Sequence, residues 1–158
     1  MKSGDPHEQL RKILNRYGDE AVGLVVAILK AKNKKASGKL LNSFSYKIIE
    51  DTQGLLSLGL FSDTDYAEFV DKGRKPGKRP PMKAIESWVK TKGIGGSQKE
   101  QKSLSFLIAR KIGRFGIKPT PYIGPVLDKI SKDLIQEIER NKQLTQNLIP
   151  DLKVTVVL

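Results

Sequence analysis

The chain holds one histidine, His7, and no cysteine, so the side chains that most often build nucleophile–base pairs and transition-metal sites are nearly missing. A thiol nucleophile, a disulfide scaffold and Cys-based zinc or iron–sulfur centres are excluded. His7 stands at the start of a helical pattern, outside any apolar context, and reads as a surface residue. The carboxylates Asp63, Asp65, Glu68 and Asp71 fall close together, and hard divalent cations take such ligands. The spaced ligands, central Gly and closing Glu of an EF-hand are missing, so the cluster reads as a solvated acidic turn, or as a partner for cations of a neighbouring copy. Gly93, Gly95 and Gly96 lack both the Gly-Lys-Ser/Thr ending of a P-loop and the Rossmann spacing, and read as a turn. These residues lead us to expect a protein with no catalytic residues, no metal and no cofactor.

The cations are more informative. The net charge is +12, and residues 72–118 hold 14 basic side chains against only Glu86 and Glu100. Residues 1–71 hold ten of each sign and residues 119–158 five of each, so the whole excess lies in the middle third. Such a field attracts phosphate or an acidic protein surface. Its sharpest feature is Arg74, Lys75, Lys78 and Arg79, set among Gly73, Pro76, Gly77 and Pro80. These charges cannot be buried without partners, so the segment must face solvent, phosphate or carboxylate. Nothing in it resembles a base-reading element, and contact with DNA would be to phosphate alone. The lone Trp88 makes a poor stacking platform and reads as core.

The elements that must carry these residues follow from periodicity. Leu10, Ile13, Leu14, Tyr17, Ala21, Leu24, Val25 and Ile28 predict a long helix from about Pro6 to Lys32, with Asp5 as N-cap and Pro6 in its first turn. Gly18 and Gly23 weaken it slightly. Alternation over Ser43–Ile49, with Phe44, Tyr46 and Ile48 on one face, predicts a strand. A turn at Asp51–Gly54 leads to a second strand over Leu55–Phe61, giving an antiparallel hairpin. Asp65–Lys72 reads as a helical turn rather than a short strand, and Gly73–Pro81 as a loop. Pro80-Pro81 opens a helix that turns Ile85, Trp88 and Val89 inward. Another covers Lys99–Gly113 with Leu104, Leu107, Ile108 and Ile112 on one side, and a last covers Tyr122–Asn141. LKVTVVL alternates through Val154 and Val156 and predicts a terminal strand, paired in its own sheet or added to another subunit. The expected fold is a single α+β domain, residues 1–158, with helices on one face of a small antiparallel sheet. No apolar run nears the roughly 18–20 residues that span a bilayer, and MKSGDPHEQL has no apolar region of a signal peptide.

Three segments then occur in a characteristic order: Ser37-Gly38-Lys39-Leu40-Leu41-Asn42-Ser43, Tyr66-Ala67-Glu68-Phe69-Val70-Asp71-Lys72-Gly73, and Pro119-Thr120-Pro121-Tyr122-Ile123-Gly124-Pro125-Val126-Leu127. Together, over about residues 10–140, they resemble the tail-completion, or head–tail joining, proteins of tailed bacteriophages. In that family an SG-x-L-x-x-S segment precedes the sheet, a YA-x-(F/Y)-V-(E/D)-x-G segment precedes a variable loop, and a P-x-P-(F/Y)-(I/L)-x-P segment opens the last helix. The loop after Gly73 is longer and more basic than the family pattern, and LKVTVVL, about 150–158, extends past its usual end. The resemblance implies a non-enzymatic virion protein that forms a ring in the neck, between head connector and tail, and leaves a channel for DNA. It implies that Tyr66, Phe69, Val70 and Tyr122 anchor the fold.

On that basis the expected partners are other copies of the chain, in a hexamer or dodecamer, together with portal or connector and tail proteins, with possible transient nonspecific DNA contact in the channel and no membrane. Asp63, Asp65, Glu68 and Asp71 are expected at the subunit interface, with Val154 and Val156 adding a strand to a neighbour. Arg74, Lys75, Lys78 and Arg79 are expected to meet an acidic protein or the ring edge, because a lumen that grips phosphate would slow DNA passage. The rival reading is a small basic protein that binds nucleic acid without sequence preference. A nuclease, which needs convergent carboxylates and a metal, is a distant third.

Overall fold

Asp5 starts the first helix: its carboxylate accepts the amide of His7 at 3.1 Å, and Pro6 occupies the first turn, where no N–H is needed. In the computed structural model, which describes residues 5–32, 38–64, 66–141 and 153–156, this helix α1 spans Pro6–Ala31. It buries Leu10, Leu14, Tyr17, Gly18, Ala21, Val25 and Leu29, the apolar stripe expected of a 3.6-residue period.

The stripe meets a hairpin. Strand β1 (Phe44–Glu50) runs antiparallel to β2 (Leu56–Ser62), with Tyr46 opposite Leu60 and Ile48 opposite Leu58. The turn is held by Asp51, whose carboxylate accepts the amides of Gln53 at 2.8 Å and Leu55 at 2.9 Å. Leu56, Leu58 and Leu60 are buried on the face that α1 covers. The last helix, Ile123–Arg140, packs along α1 through Val126, Ile130, Leu134 and Ile138. Across that seam the Tyr17 hydroxyl donates to Glu137 at 2.9 Å, Arg16 pairs with the same carboxylate, and Lys129 pairs with Glu20 at 2.9 Å. The fold is α+β, as expected.

The terminal strand, Lys153–Val156, pairs parallel to β2, placing Val154 beside Leu58 and Val156 beside Leu60. The sheet is thus mixed, with β2 at its centre. Of the two pairings the sequence leaves open for this strand, the single chain forms the one within its own sheet.

Three further helices complete the described chain: α2 (Ala67–Lys72), α3 (Met82–Lys92) and α4 (Gln98–Phe115), which makes Ile123–Arg140 α5 and Lys153–Val156 β3. Helix α4 begins with a capping box in which Ser97 and Glu100 satisfy each other's backbone amides. Helices α3 and α4 pack on each other, and their fully buried residues are Val89, Ser105 and Ala109, which lie outside the main core. Small residues let the two backbones approach, and the Ser105 hydroxyl is satisfied by the Gln101 carbonyl at 2.7 Å. Two sequence expectations fail here. Trp88 is 37% exposed and Leu107 55% exposed, because a two-helix arm has only one inner seam and their faces of the helices have nothing to pack on.

Candidate functional site

The arm and the body are joined by the two segments that flank the arm. Tyr122 is fully buried, and its ring meets Phe44 edge-on with centroids 5.6 Å apart. Its hydroxyl donates to the Ala67 carbonyl at 2.9 Å. In return, one oxygen of Asp71 accepts the amides of Tyr122 at 2.7 Å and Ile123 at 2.9 Å, the first free donors of α5. The Thr120 amide donates to Val70 at 2.9 Å. The Tyr66–Gly73 and Pro119–Leu127 segments therefore close on each other as one clasp.

Beyond the clasp the chain enters the arm through a two-hydrogen-bond bridge: the Arg74 amide donates to Ile117 at 2.9 Å, and the Ile117 amide to Arg74 at 2.8 Å. A glycine stands beside each side of it, Gly73 at φ 71° and Gly116 at φ 72°. A Cβ on Gly73 would lie 2.5 Å from the Ile117 carbonyl oxygen, and one on Gly116 would lie 2.0 Å from that of Arg74. Only glycine permits both the backbone conformation and the approach. The Gly77 amide also donates to Gly113 at 2.8 Å, so the basic loop is pinned along the end of α4 rather than free.

Of the four acidic residues expected at a subunit interface, two have partners within the chain. Asp71 is engaged in capping α5, and Glu68 pairs with Lys72 at 3.0 Å one helical turn away. Asp63 is exposed, and Asp65 lies outside the described residues. Among the described residues no group of three or more His, Asp or Glu side chains is placed to hold a metal ion, and no helix is long and apolar enough to cross a membrane. Tyr66 and Val70 pack against the core, but Phe69 does not: it is 43% exposed. It lies on the outer side of the short helix α2, whose buried residue is Ala67.

The basic residues have a different setting. Lys75, Lys78 and Arg79 are exposed, and Arg74 is half-buried with its guanidinium donating to the Lys78 carbonyl at 2.9 Å. Among the described residues, Lys72 is the one cation of residues 72–118 with a carboxylate within 4.0 Å. Several cations of the body are paired: Arg11 with Glu50, Lys12 with Glu8, Arg16 with Glu137, and Lys129 with Glu20 and Asp133. Four of the cations at this end lie over aromatic rings. Arg74 lies 5.7 Å over Phe69, Arg79 5.2 Å over Phe106, Lys92 5.4 Å over Trp88 and Arg114 5.7 Å over Phe115. Sequence reasoning missed Phe106 and Phe115. The one-turn spacing of Trp88 and Lys92 was a usable signal; Arg79 and Phe106 meet only through the fold.

Compared with known proteins, the chain matches no protein-family model, no curated protein and no solved structure.

Proposed function

We propose that this chain is a structural head–tail joining protein of a tailed bacteriophage, assembling into a homo-oligomeric ring in the neck that connects head connector to tail and leaves a channel for DNA. The observation that supports this reading is the clasp. The two longest motif segments behind the resemblance, some 50 residues apart, supply each other's hydrogen bonds through Asp71, Tyr122 and Ala67. Residues of one motif thus have their structural counterparts in the other, as a shared scaffold requires.

Cyclic rings use heterologous contacts, one surface of a subunit meeting a different surface of the next. With Asp71 and Glu68 engaged inside the chain, that role falls to exposed apolar positions on the body, Ile49 of β1 and Ile135 of α5, which are 43% and 50% exposed. Virion location follows from this role. Negative-stain micrographs of the purified protein, with light scattering for mass, test it. Annular particles of six or twelve copies are expected, and Ile135→Lys should shift them to smaller species while helicity is retained. A monomer at all concentrations, with no annuli, would overturn the reading.

A further inference from the structure

The arm formed by α3, α4 and the loop before them carries a charge that the rest of the chain does not balance. Thirteen cations of residues 72–118 lack a carboxylate partner among the described residues, whereas Arg11, Lys12, Arg16 and Lys129 of the body each have one. Helical spacing sets Lys99, Arg110 and Arg114 on the side of α4 away from its buried Ser105 and Ala109, and all three are exposed. From Lys99 to Arg114 this row extends about 22 Å at about 1.5 Å per residue.

We propose that this arm is a sequence-independent binding surface for the phosphate backbone of double-stranded nucleic acid. A duplex carries about one charge per 1.7 Å of axis, so it offers phosphate along the whole length of this row, and the cations neutralise part of it. The exposed rings fit the same partner. Phe106, Trp88 and Phe115 each have a cation of the arm over one face, so they are not a clear stacking platform for single-stranded bases. They act instead as shelves that hold Arg79, Lys92 and Arg114 in place, which lowers the entropy lost when those cations meet phosphate. No described element aims a set of side chains at base edges, so the contact reads charge and shape. The inference does not rest on the neck-ring reading, since the surface exists on each single chain.

The test is fluorescence anisotropy of a labelled 24-base-pair duplex titrated with the full chain from 50 to 200 mM NaCl. The expected result is an affinity that falls about 10²-fold or more over this range, corresponding to about four or five phosphate contacts. Replacing Arg110, Lys111 and Arg114 with Ser should flatten the log–log salt slope by about 2 to 3. The same loss of charge at body positions Lys12, Lys30 and Lys132 should leave the slope unchanged. Phe106→Leu, which removes a shelf but no charge, should weaken binding several-fold at constant slope. Equal losses from the arm and body triples would overturn the proposal in favour of bulk charge. Tighter binding of a 24-nucleotide single strand would overturn the duplex assignment. Polyglutamate that competes as well as duplex, charge for charge, would overturn it in favour of an acidic protein partner. Circular dichroism confirms that each variant keeps its helices. Sedimentation of the free protein reports ring formation separately, so either reading can fail alone.

Discussion

Asp71 and Tyr122 are 51 residues apart in sequence, and the carboxylate of one lies 2.7 Å from the amide of the other. That amide and the next belong to the first turn of α5, where four N–H groups have no partner inside the helix and the dipole favours a negative charge. Helix α5 has no capping side chain of its own at Tyr122, so a residue from α2 acts as an N-cap from a distance. Asp71→Ala is expected to destabilise the fold by about 1–2 kcal/mol, as loss of a cap does. Asp71→Asn keeps one acceptor oxygen and should recover part of this. Urea midpoints at constant m-value check both. If Asp71→Ala melts like the parent, the clasp is not what fastens α5.

Two glycines of α1 should respond to the same substitution with opposite signs. Gly in a helix interior costs about 1 kcal/mol relative to Ala. A Cβ added at Gly23 would meet nothing within 4 Å, so Gly23→Ala should raise the stability by about 0.5–1 kcal/mol. A Cβ on Gly18 would lie 2.2 Å from the Tyr46 ring, which packs directly on the helix backbone. Gly18→Ala must displace that ring and should destabilise by about 1–3 kcal/mol despite the better helix propensity. Thermal melts of the two variants, side by side, decide the matter.

The same pair shows what the sequence could and could not disclose. Local signals are written in a few neighbouring residues, so the stripe of α1, the hairpin and the course of α5 are legible from periodicity, and the α+β class follows. Gly18 looks only like a weakness in the sequence, because its reason lies 28 residues away at Tyr46. Charge alone makes Asp71 an interface residue, since nothing within α2 reveals that α5 needs a cap. Residue type alone turns Phe69 and Trp88 inward, whereas inwardness depends on what lies opposite; α2 is too short and the α3–α4 arm too thin to cover them. The segregation of charge is visible in composition. Its pairing with aromatic rings is not, because Arg79 and Phe106 meet only once the loop is pinned to α4.

The bridge between Arg74 and Ile117 should behave as the arm's mount. Gly116 has a φ of 72°, and an added Cβ would lie 2.0 Å from the Arg74 carbonyl oxygen, a backbone atom with little freedom to yield. Gly116→Ala should therefore break the bridge while leaving α3 and α4, whose seam is Val89, Ser105 and Ala109, packed on each other. Hydrogen exchange is expected to accelerate by at least about tenfold at the Arg74 and Ile117 amides, with the far-ultraviolet spectrum nearly unchanged. Protection of both amides at the parent level would show that the arm is held elsewhere.

Titration should destabilise the protein from both ends of the pH scale, for separable reasons. All four tyrosines, Tyr17, Tyr46, Tyr66 and Tyr122, have raised pKa values with burial as the first cause. Tyr17 is pushed up to about 12, first by burial and then by its hydrogen bond to Glu137. Raised folded values mean that above about pH 10 the unfolded chain releases protons that the folded chain keeps. Stability is then fully present below about pH 10 and falls as pH climbs toward the folded values. Tyr17→Phe and Tyr122→Phe should each flatten this alkaline loss, although Tyr122→Phe also leaves the Ala67 carbonyl without its hydroxyl donor. At the other end, the amides of Ser97 and Gly96 hold the Glu100 carboxyl below its ordinary value. Its contribution is present above that ordinary value and disappears as pH falls through the lowered one. The start of α4 should therefore fray in acid before the body unfolds. Amide exchange at Gly96 and Ser97 between about pH 5 and pH 3, corrected for intrinsic rates, should show loss of protection there while the amides of α1 and β2 stay closed. Simultaneous loss across the chain would mean that the capping box is not the acid-sensitive element.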